Sequence, residues 1–318
     1  MVLAERKLIA RIRHMAETGR STALLRGIGN DCAIISPPRG SELLVTTDLC
    51  IEDVHFRRRW HPARSIGHRC LVRGLSDIAA MAGEPLACFL SLGLPAKLPQ
   101  AWVDEFMRGL LRLATKFKVP LAGGDTSTAD KIVADILVLG YTPAGAAVLR
   151  SGARPGDRIY VTGELGGSAA VLKQLYAGKK VTAARSSRHF YPLPRLQAAR
   201  WLREKKIPSA MIDLSDGVSV DLGHICEESK VSAAIYEANI PMSRGADLQL
   251  ALHGGEDYEL LFTAPALAKL PPKIAGAPIT LIGEIHSARS GGGLIHIFGE
   301  SGQRRVLRPA GWQHFRQI

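Results

Sequence analysis

Residues 143–157 read PAGAAVLRSGARPGD, and this stretch divides the chain into two halves. It contains three glycines and two prolines, the residues that most strongly mark turns and loops. We therefore place a domain boundary here, between a domain of residues 1–147 and a domain of residues 148–318. The total length of 318 residues agrees with two domains at about 150 residues each.

Apolar runs alternate with amphipathic segments on both sides of this boundary. Residues 42–47 and 131–141 predict strands, and residues 102–116 carry apolar side chains at helical spacing. After the boundary, residues 158–162 predict a strand and residues 166–176 a helix. Because helices and strands interleave in both halves, the pattern predicts an α/β (α+β) fold with two domains of similar size.

The composition excludes several classes of protein. Hydrophobic residues make up 46% of the chain and charged residues 22%, which excludes a disordered chain. We find no uncharged apolar run of 18 residues and no secretory leader, so the sequence predicts neither a membrane span nor export. The five cysteines are widely spaced and form no C-x-x-C pair, which favours a reducing, cytoplasmic location.

The net charge of +12 raises the question of a nucleic-acid partner. The densest basic cluster is only Arg57, Arg58 and Arg59, and aromatic residues make up 6% of the chain. This pattern is too weak to predict nucleic-acid binding. A small polyphosphate partner agrees equally well with the charge.

Six aspartates stand beside glycines or hydroxyl residues in predicted turns and strand ends. They are Asp31, Asp48, Asp77, Asp125, Asp213 and Asp216. One such Asp is ordinarily a turn or cap residue, but six together favour Mg²⁺, which prefers hard oxygen ligands. Asp48 and Asp125, both placed after predicted strands, can converge at one edge of a sheet.

A glycine-rich turn, TGELGGS at residues 162–168, follows a predicted strand and opens a predicted helix. Backbone amides at such a helix start can bind phosphate. The chain has no P-loop, no Rossmann fingerprint, no protein-kinase motifs and no serine-hydrolase elbow. The acids and the glycine loop together point to metal-assisted phosphoryl transfer with a nucleotide held between two domains.

Ten motifs follow one another along nearly the whole chain. They are GIGNDCA at 27–33, TTD at 46–48, VHF at 54–56, LSDIAAM at 75–81, GGDT at 123–126, RSGARPGD at 150–157, VTG at 161–163, IDLSDG at 212–217, GGEDYEL at 254–260 and GWQHF at 311–315. In this order the set resembles the thiamine-monophosphate kinases, a family of the aminoimidazole ribonucleotide synthetase superfamily. Asn30, Gly74 and His253 depart from the family pattern, but none of them replaces a predicted metal carboxylate.

The resemblance implies a two-domain synthetase-like fold whose N-terminal sheets pair across a homodimer into a barrel-like interface, followed by a C-terminal α/β domain. It implies ATP, several Mg²⁺ ions and thiamine monophosphate as ligands. The implied Mg²⁺ ligands are Asp31, Thr46, Thr47, Asp48, Asp77, Asp125, Asp213 and Asp216. The implied ATP contacts are Gly124, Asp125, Arg150 and Ser215, and the implied substrate contacts are His55, Glu256 and Trp312.

The implied reaction is the last step of thiamine diphosphate synthesis, by direct in-line transfer from ATP. The acceptor is itself a phosphate, so we assign no general base and no covalent catalytic residue. Three alternatives stay open: another ATP-dependent member of the superfamily, a module that binds nucleotide without turnover, and a nucleic-acid binder. A selenophosphate synthetase would need a reactive cysteine near the N-terminus, and a hydrogenase-maturation enzyme a C-terminal cysteine.

Overall fold

The computed structural model describes residues 5–16, 22–184, 186–288 and 293–311. The chain divides into two compact units. Unit 1 comprises Met1–Ile78 and Gly83–Gly145, and unit 2 comprises Ala79–Ala82 and Ala146–Ile318. None of the helices in these described ranges is long and apolar enough to cross a bilayer.

Unit 1 is built on a four-stranded sheet. Its elements are α1 (Glu5–Ala16), β1 (Leu24–Arg26), β2 (Ile34–Ile35), β3 (Ser41–Ile51), α2 (Ala63–Ala80), β4 (Glu84–Leu94), α3 (Gln100–Phe117), β5 (Leu121–Thr128) and β6 (Val133–Pro143). The strand order is β3-β6-β4-β5; β4 and β5 run parallel, and the other pairs are antiparallel. A separate small ladder joins β1 to β2.

Helices α2 and α3 approach each other closely through two glycines. A Cβ atom on Gly67 would lie 1.9 Å from the carbonyl oxygen of Phe106, and one on Gly109 would lie 1.8 Å from that of Arg64. No larger residue fits at either position without moving a helix. The sequence therefore fixes the spacing of the helical layer of unit 1 at these two points.

One face of the unit 1 sheet packs against α2, and the other carries exposed apolar side chains. On β3, Leu44 is buried, whereas Leu43, Val45 and Leu49 are 52%, 63% and 49% exposed. This alternation is the period-2 pattern of a strand with one covered face. Among the described residues the sheet is open, with edges at β3 and β5, and its pairing with a second copy stays a prediction.

Unit 2 is built on a larger mixed sheet. Its elements are β7 (Arg158–Thr162), α4 (Gly167–Tyr176), α5 (Ser187–Phe190), α6 (Leu196–Glu204), β8 (Ala210–Asp213), α7 (Val218–Glu228), β9 (Val231–Tyr236), α8 (Leu248–His253), β10 (Leu260–Ala264), β11 (Lys273–Ile274), β12 (Ala277–Ser287), β13 (Ile295–Phe298) and β14 (Arg304–Val306). The order is β14-β13-β9-β12-β7-β10-β8, and β11 pairs with β12. The apolar core is formed by α7 and by strands along most of this sheet, and every residue of β8 and β10 is buried.

The predicted α/β fold is confirmed, and most predicted elements lie within two or three residues of the observed ones. The strand predicted at residues 158–162 has those same bounds in the structure. Two placements are wrong. Asp48 and Asp125 were expected at strand ends or in turns, but they lie inside β3 and β5. The sequence did not predict β5, because the strand is rich in glycine and aspartate, which are uncommon in strands. Its pairing with a neighbouring strand cannot be read from the sequence.

Candidate functional site

The expected convergence of Asp48 and Asp125 at one sheet edge is wrong. These residues lie on β3 and β5, which form opposite edges of the unit 1 sheet with β6 and β4 between them. At about 4.8 Å per strand step, this separates the two strands by roughly 14 Å. One ion coordinated directly by both carboxylates is therefore incompatible with this sheet order.

Asp125 instead lies in register, across the sheet, with Asp135, an acid that the motifs do not include. Asp125 pairs with Ser91, and Ser91 pairs with Asp135 on β6. The hydroxyl of Thr47 on β3 donates a hydrogen bond to Asp135 at 2.6 Å. Asp135 could have been noticed in the sequence, because it is the single acid inside the apolar run of residues 131–141.

Thr46 and Thr47 point to opposite faces of the sheet, as neighbouring strand residues do. Thr46 lies on the face covered by α2, where its hydroxyl donates a hydrogen bond to the carboxylate of Asp77. The structure therefore joins Thr46 to Asp77 through side chains and Thr47 to Asp135. Any role of both threonines at one ion would need a backbone oxygen from at least one of them.

A cavity of 660 Å³ in unit 1 brings together three of the implied ligand-binding residues. Asp31 reaches it from the GIGND loop, and Gly124 and Asp125 reach it from β5. The exposed Cys32 also lines this cavity. The combination of two carboxylates with glycine backbone suits a hydrated cation carrying phosphate groups.

Cys32 gives a direct test of occupancy, because the other four cysteines are buried. Burial raises the pKa of Cys88 and of Cys226 to about 12, so both thiols stay protonated and unreactive. We expect one fast-reacting thiol with a chromogenic disulfide reagent. At tenfold excess over its Kd, MgATP should slow this reaction about tenfold, because only a tenth of the sites stay free. If the rate of Cys32 modification is unchanged at saturating nucleotide, ATP does not bind in this cavity.

His55 is held by its own loop in unit 1. Its Nδ1 atom accepts a hydrogen bond from the backbone N–H of Ile51 at 3.0 Å, which leaves Nε2 as the proton-bearing nitrogen of the neutral ring. In the adjoining basic cluster, Arg58 pairs with the buried Glu52, and Arg57 and Arg59 lie over the Trp60 ring. The local fold thus engages all three arginines of that cluster.

In unit 2, Asp213 is the last residue of β8, and Ser215 and Asp216 lie in the loop between β8 and α7. The start of α7 is capped from within: Oδ2 of Asp221 accepts hydrogen bonds from the backbone N–H groups of Asp216 and Gly217, at 3.1 and 2.9 Å. Burial, followed by the nearby charges of Asp213 and Asp216, raises the pKa of Asp221 well above its usual range. The contribution of Asp213 and Asp216 to this shift means that their carboxylates lie near Asp221, and such a group of acids favours a cation.

Glu256 is positioned beside Ser215 by the backbone. Its N–H donates to the carbonyl oxygen of Ser215 at 2.8 Å, and its φ of 64° lies in the left-handed region. A Cβ atom on the preceding Gly255 would lie 2.4 Å from the same carbonyl oxygen. The glycine permits the close approach of the two loops, so the ATP residue and the substrate residue implied by the resemblance are neighbours in unit 2.

The phosphate role expected for the glycine loop before α4 is corrected by the structure. Asp257 occupies the loop's amides, since its Oδ2 accepts from Gly166 N–H at 2.6 Å and its Oδ1 from Ser168 N–H at 3.3 Å. An internal carboxylate thus holds the place that the pattern assigned to a phosphate. Burial raises the pKa of Asp257 to about 7. Asp257 lies in the motif GGEDYEL, but the resemblance assigned a function only to its neighbour Glu256.

Asp257 should impose a pH dependence on stability. Its folded pKa of about 7 exceeds the ordinary 3.8, so the folded state holds a proton that the unfolded state has lost between these values. Stability should then fall as pH rises from about 4 to 7, with a slope approaching ~1.4 kcal/mol per pH unit. Asp257→Asn should flatten this slope in urea unfolding, whereas Asp247→Asn, at an exposed cap whose pKa is lowered, should not. An unaltered slope in Asp257→Asn would contradict this account.

Of the implied ligand residues, Arg150 and Trp312 remain. Arg150 is exposed, and its backbone is fixed because its carbonyl oxygen accepts from the Ser229 hydroxyl at 2.9 Å. That hydroxyl also accepts from the N–H of Gly152 at 3.0 Å. The guanidinium thus projects from an ordered turn. Trp312 lies outside the described residues.

Family comparisons match both halves of the chain. The model described as AIR synthase related protein, N-terminal domain, matches residues 29–142, and its C-terminal counterpart matches residues 154–296. A thiamine-monophosphate kinase of Escherichia coli (strain K12) is 36% identical to this chain, over 99% of both proteins. The chain belongs to the thiamine-monophosphate kinase family.

Solved structures of thiamine-monophosphate kinases share the fold. One from Stenotrophomonas maltophilia K279a aligns with a TM-score of 0.80 at 34% identity, covering 93% of this chain and 97% of that one. The AaThiL structure complexed with AMPPCP and TMP aligns with a TM-score of 0.77 at 30% identity, covering 99% and 100%. The kinase fold therefore extends over nearly the whole of this chain, including both units.

Proposed function

We propose that this protein transfers the γ-phosphoryl group of ATP to thiamine monophosphate, giving thiamine diphosphate and ADP. The observation that carries the proposal is the match, over nearly the full length of both chains, to AaThiL, which was solved with AMPPCP and TMP. The cavity lined by Asp31, Gly124 and Asp125 supports it, because this chain has a concave site where the family resemblance puts nucleotide.

The donor set fits several Mg²⁺ ions. The described residues contain no preassembled group of three or more His, Cys, Asp or Glu side chains around one point. This agrees with Mg²⁺, which ordinarily takes one or two carboxylates and completes its shell with waters and substrate phosphates. Asp31 and Asp125 in unit 1, with Asp213 and Asp216 in unit 2, would hold the ions. When bound, Mg²⁺ neutralises phosphate charge.

The remaining residues bind and orient the two anions. Arg150 would clamp a phosphate with its planar fork, and Ser215 would contact ATP. His55, through its Nε2–H, and Glu256 would contact thiamine monophosphate. The acceptor's second phosphate pKa is about 6, so the attacking oxygen carries charge at neutral pH and no residue has to remove a proton. Transfer is direct and in line, so labelled phosphate from ATP should not remain on the protein in a single turnover.

The two halves of the chain would have separate roles. Residues 1–147 would form the nucleotide-binding and dimerisation domain, and residues 148–318 the C-terminal domain. The enzyme would act as a cytoplasmic homodimer, paired through the exposed face of β3 that carries Leu43 and Val45. A Val45→Asp change should shift the mass measured by light scattering from dimer to monomer; an unchanged mass would place the interface elsewhere.

The deciding experiment is a turnover assay with purified protein, ATP and Mg²⁺. Thiamine monophosphate, free thiamine and aminoimidazole ribonucleotide precursors serve as parallel acceptors. We expect thiamine diphosphate from the monophosphate only, and only with Mg²⁺. Turnover of another acceptor instead would replace the proposal with a related activity, and ATP binding without any turnover would indicate a binding module.

A further inference from the structure

The wall of the unit 1 cavity includes a helix that none of the motifs covers. Ile9, Ile12 and Arg13 of α1 line the cavity, together with Phe89 and Asp125 on the sheet. The cavity thus combines an apolar side, a cation and carboxylates. A magnesium nucleotide has matching parts: its flat, weakly polar base suits the apolar side and the planar cation, and the Mg²⁺ on its phosphates suits the carboxylates.

Helix α1 is fixed on unit 1 by a two-pronged ion pair. Nε and Nη2 of Arg11 donate to the two carboxylate oxygens of Asp104 on α3, at 2.5 and 2.7 Å. Gln100 donates to the same carboxylate at 3.0 Å, and the side chain of Leu8, on α1 itself, is buried. The hydrogen bonds from Arg11 hold the pKa of Asp104 below its usual range. The side chains that α1 presents to the cavity therefore stand on a fixed support.

The guanidinium of Arg13 lies face-on against Gly29. A Cβ atom on Gly29 would be 2.8 Å from Cζ and 2.8 and 2.9 Å from the two Nη atoms. An edge-on approach would leave both Nη atoms clearly nearer than Cζ, so the near-equal distances mean that one face of the planar cation covers the glycine. Gly29 has φ +125° and no side chain, and both properties make room for this contact.

We propose that the other face of the Arg13 guanidinium stacks on the nucleobase of ATP, with Ile9 and Ile12 bordering the base. This rests on the proposed function, which supplies ATP as the phosphoryl donor. A guanidinium stacks well on flat π systems, and such a contact tolerates any base that fits the available space. Arg13 is thus a nucleotide-binding residue that acts on the base, while Asp31 and Asp125 act at the phosphate end.

The test separates a flat contact from a charged one. Arg13→Ala and Arg13→Lys should each weaken MgATP binding about tenfold in calorimetry, because both substitutions remove the planar group that stacks on the base. Arg13→Tyr should restore most of the affinity, since it returns a plane without the charge. Binding of Mg-tripolyphosphate, which has no base, should be the same in all four proteins. Arg6→Ala is the matched control, because Arg6 is exposed on the same helix and does not line the cavity.

Other outcomes would overturn the stacking role. Rescue by Arg13→Lys, or a parallel loss of tripolyphosphate binding, would make Arg13 a phosphate ligand instead. Unchanged ATP binding in Arg13→Ala would remove the contact altogether. In turnover assays the KM for ATP should rise while kcat and the KM for thiamine monophosphate stay constant, a division that a general loss of structure would not produce.

Binding needs no acceptor, so this inference and the proposed function fail separately. If ATP binding depends on Arg13 but thiamine monophosphate is not phosphorylated, the inference stands and the proposed reaction falls. If the reaction proceeds and Arg13→Ala binds ATP like the unmodified protein, the reverse holds.

Discussion

Replacing Asp125 with Asn should lower kcat/KM for phosphoryl transfer by roughly 10³-fold, the upper range for losing one electrostatic contact to a transition state. Asn keeps the shape of Asp and the oxygen that accepts a hydrogen bond from the Thr126 N–H at 2.8 Å. The change therefore removes charge and little else. Because Asp125 lines the cavity and is proposed to hold Mg²⁺, the Mg²⁺ concentration for half-maximal rate should rise as well.

Asp130→Asn is the matched control for this experiment. Asp130 is exposed, lies five positions further along the chain and does not line the cavity. It removes the same charge from the same unit, so its kcat/KM should stay near that of the unmodified protein. Equal activity of Asp125→Asn and Asp130→Asn would contradict the assignment of Asp125 to the metal site.

The second large effect concerns stability. Arg195→Ala should lower the free energy of unfolding by about 3–5 kcal/mol, because it leaves a buried carboxylate without its cation. That carboxylate belongs to Glu259, whose side chain is only 3% exposed. Nε of Arg195 donates to it at 2.6 Å, and the Thr162 hydroxyl donates at 2.6 Å. At about 2–4 °C per kcal/mol for large domains, the midpoint of thermal unfolding should fall by about 10 °C.

Arg200→Ala tests whether this loss is specific to burial. Arg200 pairs with Glu204 one helical turn away on α6, but both side chains are about half exposed, at 56% and 51%. Exposed pairs of this kind are worth about 0.5 kcal/mol. Circular dichroism during urea and thermal unfolding should therefore separate the two variants clearly. Similar losses in both would mean that the Glu259 pair is no stronger than a surface pair.

The sequence predicts well those features that depend on local pattern. The helix at Gln100–Phe117 has an unbroken apolar stripe, and the strand at Arg158–Thr162 is bounded by a proline-glycine turn and a glycine. Both elements are visible in any short window of residues. The motifs likewise predict a set of metal-binding aspartates, because the order of the motifs along the chain can be read without a structure.

Features that depend on distant partners could not be predicted. Strand β5 forms because it pairs with β4, and a Cβ atom on its Gly124 would lie 1.8 Å from the carbonyl oxygen of Leu90. Asp257 caps an amide 91 residues earlier in the chain, at Gly166. Neither pairing is encoded in the spacing of neighbouring residues. The same limit explains the placement of Asp48 and Asp125 on opposite sheet edges, since strand order is a tertiary property.

The order of strand pairing has a consequence for synthesis on the ribosome. Every strand of the unit 1 sheet lies before residue 144, so that sheet can close while the rest of the chain is still being made. In unit 2, β7 pairs with β10 and β12, and so residues 158–162 wait for residues 260–287. Such long separations slow folding and leave strand edges open to wrong contacts. In a nascent chain stalled at successive lengths, protease resistance should therefore arise in unit 1 first, and unit 2 should depend more heavily on chaperones.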